Sequence, residues 1–105
     1  MVAMDQVEAL SRQIAREFEP ERIILFGSHA RGNPRVDSDV DLLVLLPFDG
    51  KPFRKSVEIP NRTNPPFAVD VVVRNPEDAA RRYAEYDPLI REAIDRGKVL
   101  YERNG

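Results

Sequence analysis

Apolar residues recur along this chain in two rhythms, one helical and one extended. Over residues 4–18, Val7, Leu10, Ile14 and Phe18 return at three- and four-residue steps, the spacing of one buried helical stripe. Asp5 with Glu8 three positions on is a helix-start signal, and Pro20 a stop. Arg22 to Phe26 is a short β-branched and aromatic run ended by Gly27, which predicts a buried strand. Ser28 to Arg31 predicts a short helix capped by Ser28 and closed by Gly32-Asn33-Pro34. Val40 to Leu46 is apolar nearly throughout, so both faces of this second strand are expected under helices.

The second half repeats the alternation. Pro47-Phe48-Asp49-Gly50 predicts a turn, residues 51–59 a weak helix interrupted by Pro60, and residues 61–66 a loop. Phe67 to Val73 predicts a third strand. Asn75-Pro76-Glu77 opens a helix to about Tyr83, with Asn75 as cap and acids in the first turn. Asp87-Pro88 repeats that start before the stripe Leu89, Ile90, Ala93 and Ile94, and Gly97 closes it. Lys98 to Glu102 is a last short strand. The order α-β-α-β-α-β-α-α-β predicts an α/β (α+β) fold: a small mixed sheet backed by helices, in one domain over residues 1–105.

Composition removes several chemistries. The chain has no cysteine and one histidine, His29, which excludes disulfides, Cys-based zinc or redox sites and multi-histidine metal sites. Sixteen basic and 18 acidic residues leave a net charge of −2, against a sequence-independent nucleic-acid binder. No apolar run approaches the ~20 residues of a membrane span, and no secretory leader is read, so the expected location is cytoplasmic.

The candidate chemistry is concentrated in five residues. Gly27-Ser28 lies where a strand hands over to a helix. A helix start offers free N–H groups to phosphate, glycine permits close approach and serine adds a hydroxyl. Alone, Gly-Ser is a common turn. Asp39 and Asp41, two apart, point to one face of a strand and can share hard cations, for which Mg²⁺ is suited. Asp70 has the same setting within Phe67-Ala68-Val69-Asp70-Val71-Val72-Val73. Three acids in apolar surroundings repel one another unless a cation lies between them, so a divalent metal pair holding a nucleoside triphosphate is the expected occupant. Asp37 shares their parity but reads as a turn residue. His29 reads as a surface or packing residue. Arg31 and Arg35 fit either an ion pair or a phosphate contact, with the structural role favoured. Tyr83 and Tyr86 read as half-buried packing or interface residues.

The segment Ile24-Leu25-Phe26-Gly27-Ser28-His29-Ala30-Arg31-Gly32, followed by Ser38-Asp39-Val40-Asp41-Leu42 and the later Asp70, resembles the nucleotidyltransferase domain of the DNA polymerase β superfamily, in particular the minimal nucleotidyltransferases (MNT). The resemblance spans almost the whole chain. It is weakest over residues 47–66, where proline-rich sequence replaces a longer helix. It implies that Asp39 and Asp41 ligate two Mg²⁺ ions and that Asp70 completes the catalytic metal site. It also implies that Gly27 and Ser28 hold the β- and γ-phosphates of the donor, ATP, while a hydroxyl attacks the α-phosphorus. The partner it implies is an all-helical HEPN ribonuclease toxin, with the MNT protein as antitoxin, in some systems by AMP transfer to a toxin tyrosine. Two alternatives remain: a non-catalytic antitoxin that neutralises HEPN by binding, and transfer to RNA or a small molecule. The oligomeric state is open, a homo-oligomer included.

Overall fold

Nine elements form in the expected order in the computed structural model, which describes residues 2–35 and 37–103. They are α1 (Met4–Phe18), β1 (Arg22–Phe26), α2 (Ser28–Arg31), β2 (Val40–Leu45), α3 (Pro52–Thr63), β3 (Val69–Arg74), α4 (Pro76–Ala84), α5 (Pro88–Arg96) and β4 (Lys98–Glu102). The four strands lie in the order β3-β2-β1-β4. β1 runs antiparallel to both β2 and β4, and β2 runs parallel to β3, so the sheet is mixed.

Side-chain alternation divides the core in two. One face carries Ile23, Leu25, Val40, Leu42, Val44, Val71 and Val73, packed with Val7, Leu10 and Ile14 of α1 and Ile59 of α3. The other carries Ile24, Phe26, Leu43 and Leu45 beneath Ala79 of α4 and Ile90 and Ala93 of α5. β2 is central and buried on both faces, as its apolar run requires.

Local signals explain most boundaries, with four differences. α1 begins at Ala3, whose N–H donates to the Gln6 side chain at 3.0 Å, so Gln6 does the capping expected of the Asp5–Glu8 pair. α2 is capped by Gly27, not Ser28. Asn75 precedes α4 as expected, yet its side chain accepts from the Phe48 N–H at 2.9 Å and ties the turn after β2 to the start of α4. The largest difference is α3, which runs through Pro60 to Thr63 where an interruption and a loop were expected. Proline removes one helical hydrogen bond, and burial outweighs that loss. Ile59 and Thr63 are buried, the Thr63 hydroxyl donates to the Ile59 carbonyl at 2.8 Å, and the Ser56 hydroxyl accepts from the Val73 N–H at 3.3 Å.

α5 shows how tightly a short helix is fixed. Asp87 accepts from the N–H groups of Leu89 and Ile90 at 3.0 and 3.2 Å. The Ile90 bond, with that of Leu89 and the Arg82 charge, holds its carboxyl below the ordinary 3.8. At the other end, a Cβ on Gly97 would lie 2.8 Å from the Leu25 carbonyl oxygen and strike that of Ala93. Asp87→Ala is expected to cost about 1 kcal/mol in a urea denaturation at pH 7. Because the folded carboxyl titrates below the unfolded one, that difference persists above pH 3.8 and vanishes as pH falls through the lower folded value. Gly97→Ala should cost more, about 1–3 kcal/mol, since backbone must move.

Candidate active site

The acids lie where helical cover over the sheet ends. Along one face of β2, Leu45 and Leu43 sit beneath α4 and α5, and the same face continues to Asp41, with Asp39 just before the strand begins. Asp41 is half-buried and Asp39 exposed. The parallel register sets Asp70 directly beside Asp41, with Val72 beside Leu43. Residues in register on adjacent strands project to the same face, so Asp41 and Asp70 share one end of one face, and Asp39 lies just ahead of the strand, near enough for its charge to act on Asp41.

Asp70 is exposed, which corrects the expectation of three carboxylates in apolar surroundings. β3 is an edge strand: Val71 and Val73 turn into the core, while Asp70, Val72 and Arg74 face a side that the helices only partly cover. The strand is apolar in sequence because one of its faces is buried, not both.

β1 delivers the turn to the same place. Phe26 pairs with Asp41 across the antiparallel ladder, so Gly27 leaves the sheet beside that carboxylate. Gly27 has φ +78°, and a Cβ there would run into the Asp41 carboxylate oxygen. The position therefore requires glycine for backbone conformation and for space. Ser28 opens α2; the N–H groups of Ala30 and Arg31 both donate to the Gly27 carbonyl at 3.1 Å, which leaves those of Ser28 and His29 outside the helical ladder.

Electrostatics single out Asp41. Its carboxyl is pushed above the ordinary 3.8, first by burial, then by the charges of Asp70 and Asp39, with Glu92 adding and His29 opposing. Glu92, on α5, was not marked by any local pattern, because only the packing of α5 against β1 brings it here. It also pairs with Arg31 at 2.9 Å, giving Arg31 the structural role favoured from sequence. His29 is half-buried and its Nδ1 has no hydrogen-bond partner among the described residues. Arg35 is exposed, its N–H bonded to the Ser38 hydroxyl at 2.9 Å, and Asp37 lies in an exposed turn. Tyr83 is half-buried, donates to Asp95 at 2.7 Å and stacks on Arg91, whereas Tyr86 is exposed, contrary to the half-buried expectation.

As placed, no group of three or more histidine or carboxylate side chains among the described residues is close enough to hold a metal ion. The donor set nevertheless suits a hard cation. It is all oxygen, the charges of Asp70 and Asp39 add to burial in raising the Asp41 carboxyl, and Asp39 and Asp70 are exposed.

Residues 7–100 match the family model of the nucleotidyltransferase domain. No curated protein matches the chain. Among solved structures, a Sulfolobus solfataricus protein assigned to the nucleotidyltransferases is 19% identical, with a TM-score of 0.66 over 96% of this chain and 81% of its own. A toxin–antitoxin complex with AMP-PNP is 20% identical, with a TM-score of 0.57 over 90% of this chain and 73% of the other. A double Asp-to-Glu variant of the MntA–HpeT toxin–antitoxin is 17% identical, with a TM-score of 0.58 over 90% and 72%.

Burial of Asp41, reinforced by the charges of Asp70 and Asp39, has a measurable consequence. Its raised carboxyl pKa means the folded state holds that proton more tightly than the unfolded chain, so its contribution to stability falls as pH rises from 3.8 through the higher folded value. In thermal melts without divalent cations, Asp41→Asn should melt above wild type at pH 7, with the gain shrinking near pH 4. Gly27→Ala should melt below wild type at both pH values, because its penalty is steric as well as conformational.

Proposed function

The chain belongs to the nucleotidyltransferase domain family, and we propose that it transfers AMP from ATP to a hydroxyl on a protein partner, a tyrosine of a HEPN toxin, as an antitoxin. The observation that carries this reading is the register that sets Asp70 beside Asp41, with Asp39 just ahead of β2 and the Gly27 turn adjoining. The fold it shares with toxin–antitoxin complexes, one holding AMP-PNP and another altered at two aspartates, supports the choice of donor and partner.

Each residue then has a task. Asp39 and Asp41 would hold the cations that accompany the triphosphate, and Asp70 would complete that site. Two Mg²⁺ ions would offset the charge on the attacking and departing oxygens. Gly27 lets the β- and γ-phosphates approach the main chain, and the Ser28 hydroxyl and the N–H groups of Ser28 and His29 donate to them. The acceptor oxygen forms a bond to the α-phosphorus as the bond to the bridging oxygen breaks, and pyrophosphate leaves with that electron pair. The hydroxyl proton passes to solvent beside exposed Asp70.

A binding-only antitoxin gains from one observation: exposed acids at positions 39 and 70 cost a pure binder little. The mutual repulsion at Asp41 favours the enzyme, because it is a penalty that a cation removes. Asp70→Asn separates the two. With labelled ATP, Mg²⁺ and the partner, it should lower transfer at least about a hundredfold, while calorimetry shows triphosphate affinity within a few-fold of wild type. Equal loss of binding and transfer would contradict the role given to Asp70, and wild type that binds the partner without labelling it would establish the binder.

A further inference from the structure

β3 leaves one side of its main chain unpaired by any strand among the described residues. The carbonyls of Ala68 and Arg74 accept from β2 and its continuation, so the even-numbered residues of β3 turn their backbone groups inward and Val69, Val71 and Val73 turn theirs outward. Ser56 of α3 satisfies the Val73 N–H. Toward Asp70, a groove of about 630 Å³ opens between this edge and α3. Consecutive residues from Val69 to Val72 line it, so its wall is the edge of the strand rather than either face. Phe53 and Val57, one helical turn apart on the opposite wall, are 76% and 41% exposed.

The groove has polarity. Asp70 lies at one end and Arg74 at the other, on one face and about 13 Å apart along the strand. Arg74 has no carboxylate partner among the described residues; its Nη1 donates to the Val73 carbonyl and its Nε has no acceptor. Neighbouring Arg82 is already paired with Asp78 and Asp87.

We propose that this groove takes the acceptor as an extended segment of a protein partner, added as a strand to the open edge of β3, with its hydroxyl residue at Asp70 and a carboxylate residue four positions away at Arg74. The proposal rests on the transfer reading for the purpose of the hydroxyl. Main-chain bonds to Val69 and Val71 supply affinity, and the alternating side chains supply selection. A spacing of four preserves parity, so hydroxyl and carboxylate fall on the face that bears Asp70 and Arg74. Phe53 and Val57 cover the apolar side chains between them.

The test uses the full chain and two synthetic β-prone peptides, each with one tyrosine and, four residues to either side, glutamates in one and lysines in the other. Binding is read by fluorescence anisotropy without nucleotide or Mg²⁺. The glutamate peptide should bind about tenfold more tightly, Arg74→Glu should invert the preference, and Phe53→Asp should weaken both peptides. Equal affinities in wild type, or an unchanged preference in Arg74→Glu, overturns the proposal. If circular dichroism shows that Arg74→Glu does not fold, exposed Phe53→Asp carries the test, and unchanged binding overturns it. A wild-type dimer in sedimentation that Phe53→Asp dissolves assigns the groove to a second copy and also overturns it. Charge-selective binding without labelling from ATP and Mg²⁺ upholds the groove and counts against transfer. Labelling of an acceptor that is indifferent to both substitutions upholds transfer and overturns the groove.

Discussion

Everything at the acidic end depends on the parallel pairing of β2 with β3. A strand has a two-residue repeat, so a shift of one position would turn Asp70 to the opposite face from Asp41. The register that prevents this is held by burial elsewhere. Val71 and Val73 face the core shared with α1 and α3, and their parity fixes that of Asp70. The apolar face of the edge strand thus aims its polar face, and the hydrophobic core sets the position of the charges.

The antiparallel pairing of β1 with β2 adds the second constraint. It brings the end of β1 to the start of β2, so the Gly27 turn and the Asp41 carboxylate share a corner. A glycine needed to clear an acid is the same glycine that would admit a phosphate. The packing of the apo chain and the proposed binding of the triphosphate make one demand on position 27.

Much of this was legible in sequence where the signal was local. β1 and β4 were readable to the residue because each is a short apolar run punctuated by glycine at one end. The spacing of Asp39 and Asp41 predicts one shared face, and the charge of Asp39 does act on Asp41, though β2 begins only at Val40. α3 was misread because a proline penalty is visible in sequence, whereas the burial of Ile59 and Thr63 that offsets it is not. Asp70 was expected to be buried because a run of valines does not show whether its strand is central or an edge. Glu92 was invisible for a similar reason: its influence on Asp41 crosses from α5, and no spacing encodes that approach.

The two rims of the sheet are unequal. β4 carries Lys98 and Glu102 near its ends, and its ladder with β1 is interrupted between Ile23 and Ile24. Such irregular, charged borders resist being copied by a further chain. Growth of the sheet by self-association would need both borders to be receptive. Both β3 and β4 are edges, but the charged ends of β4 make its border the less receptive of the two, which disfavours strand-by-strand growth of the sheet.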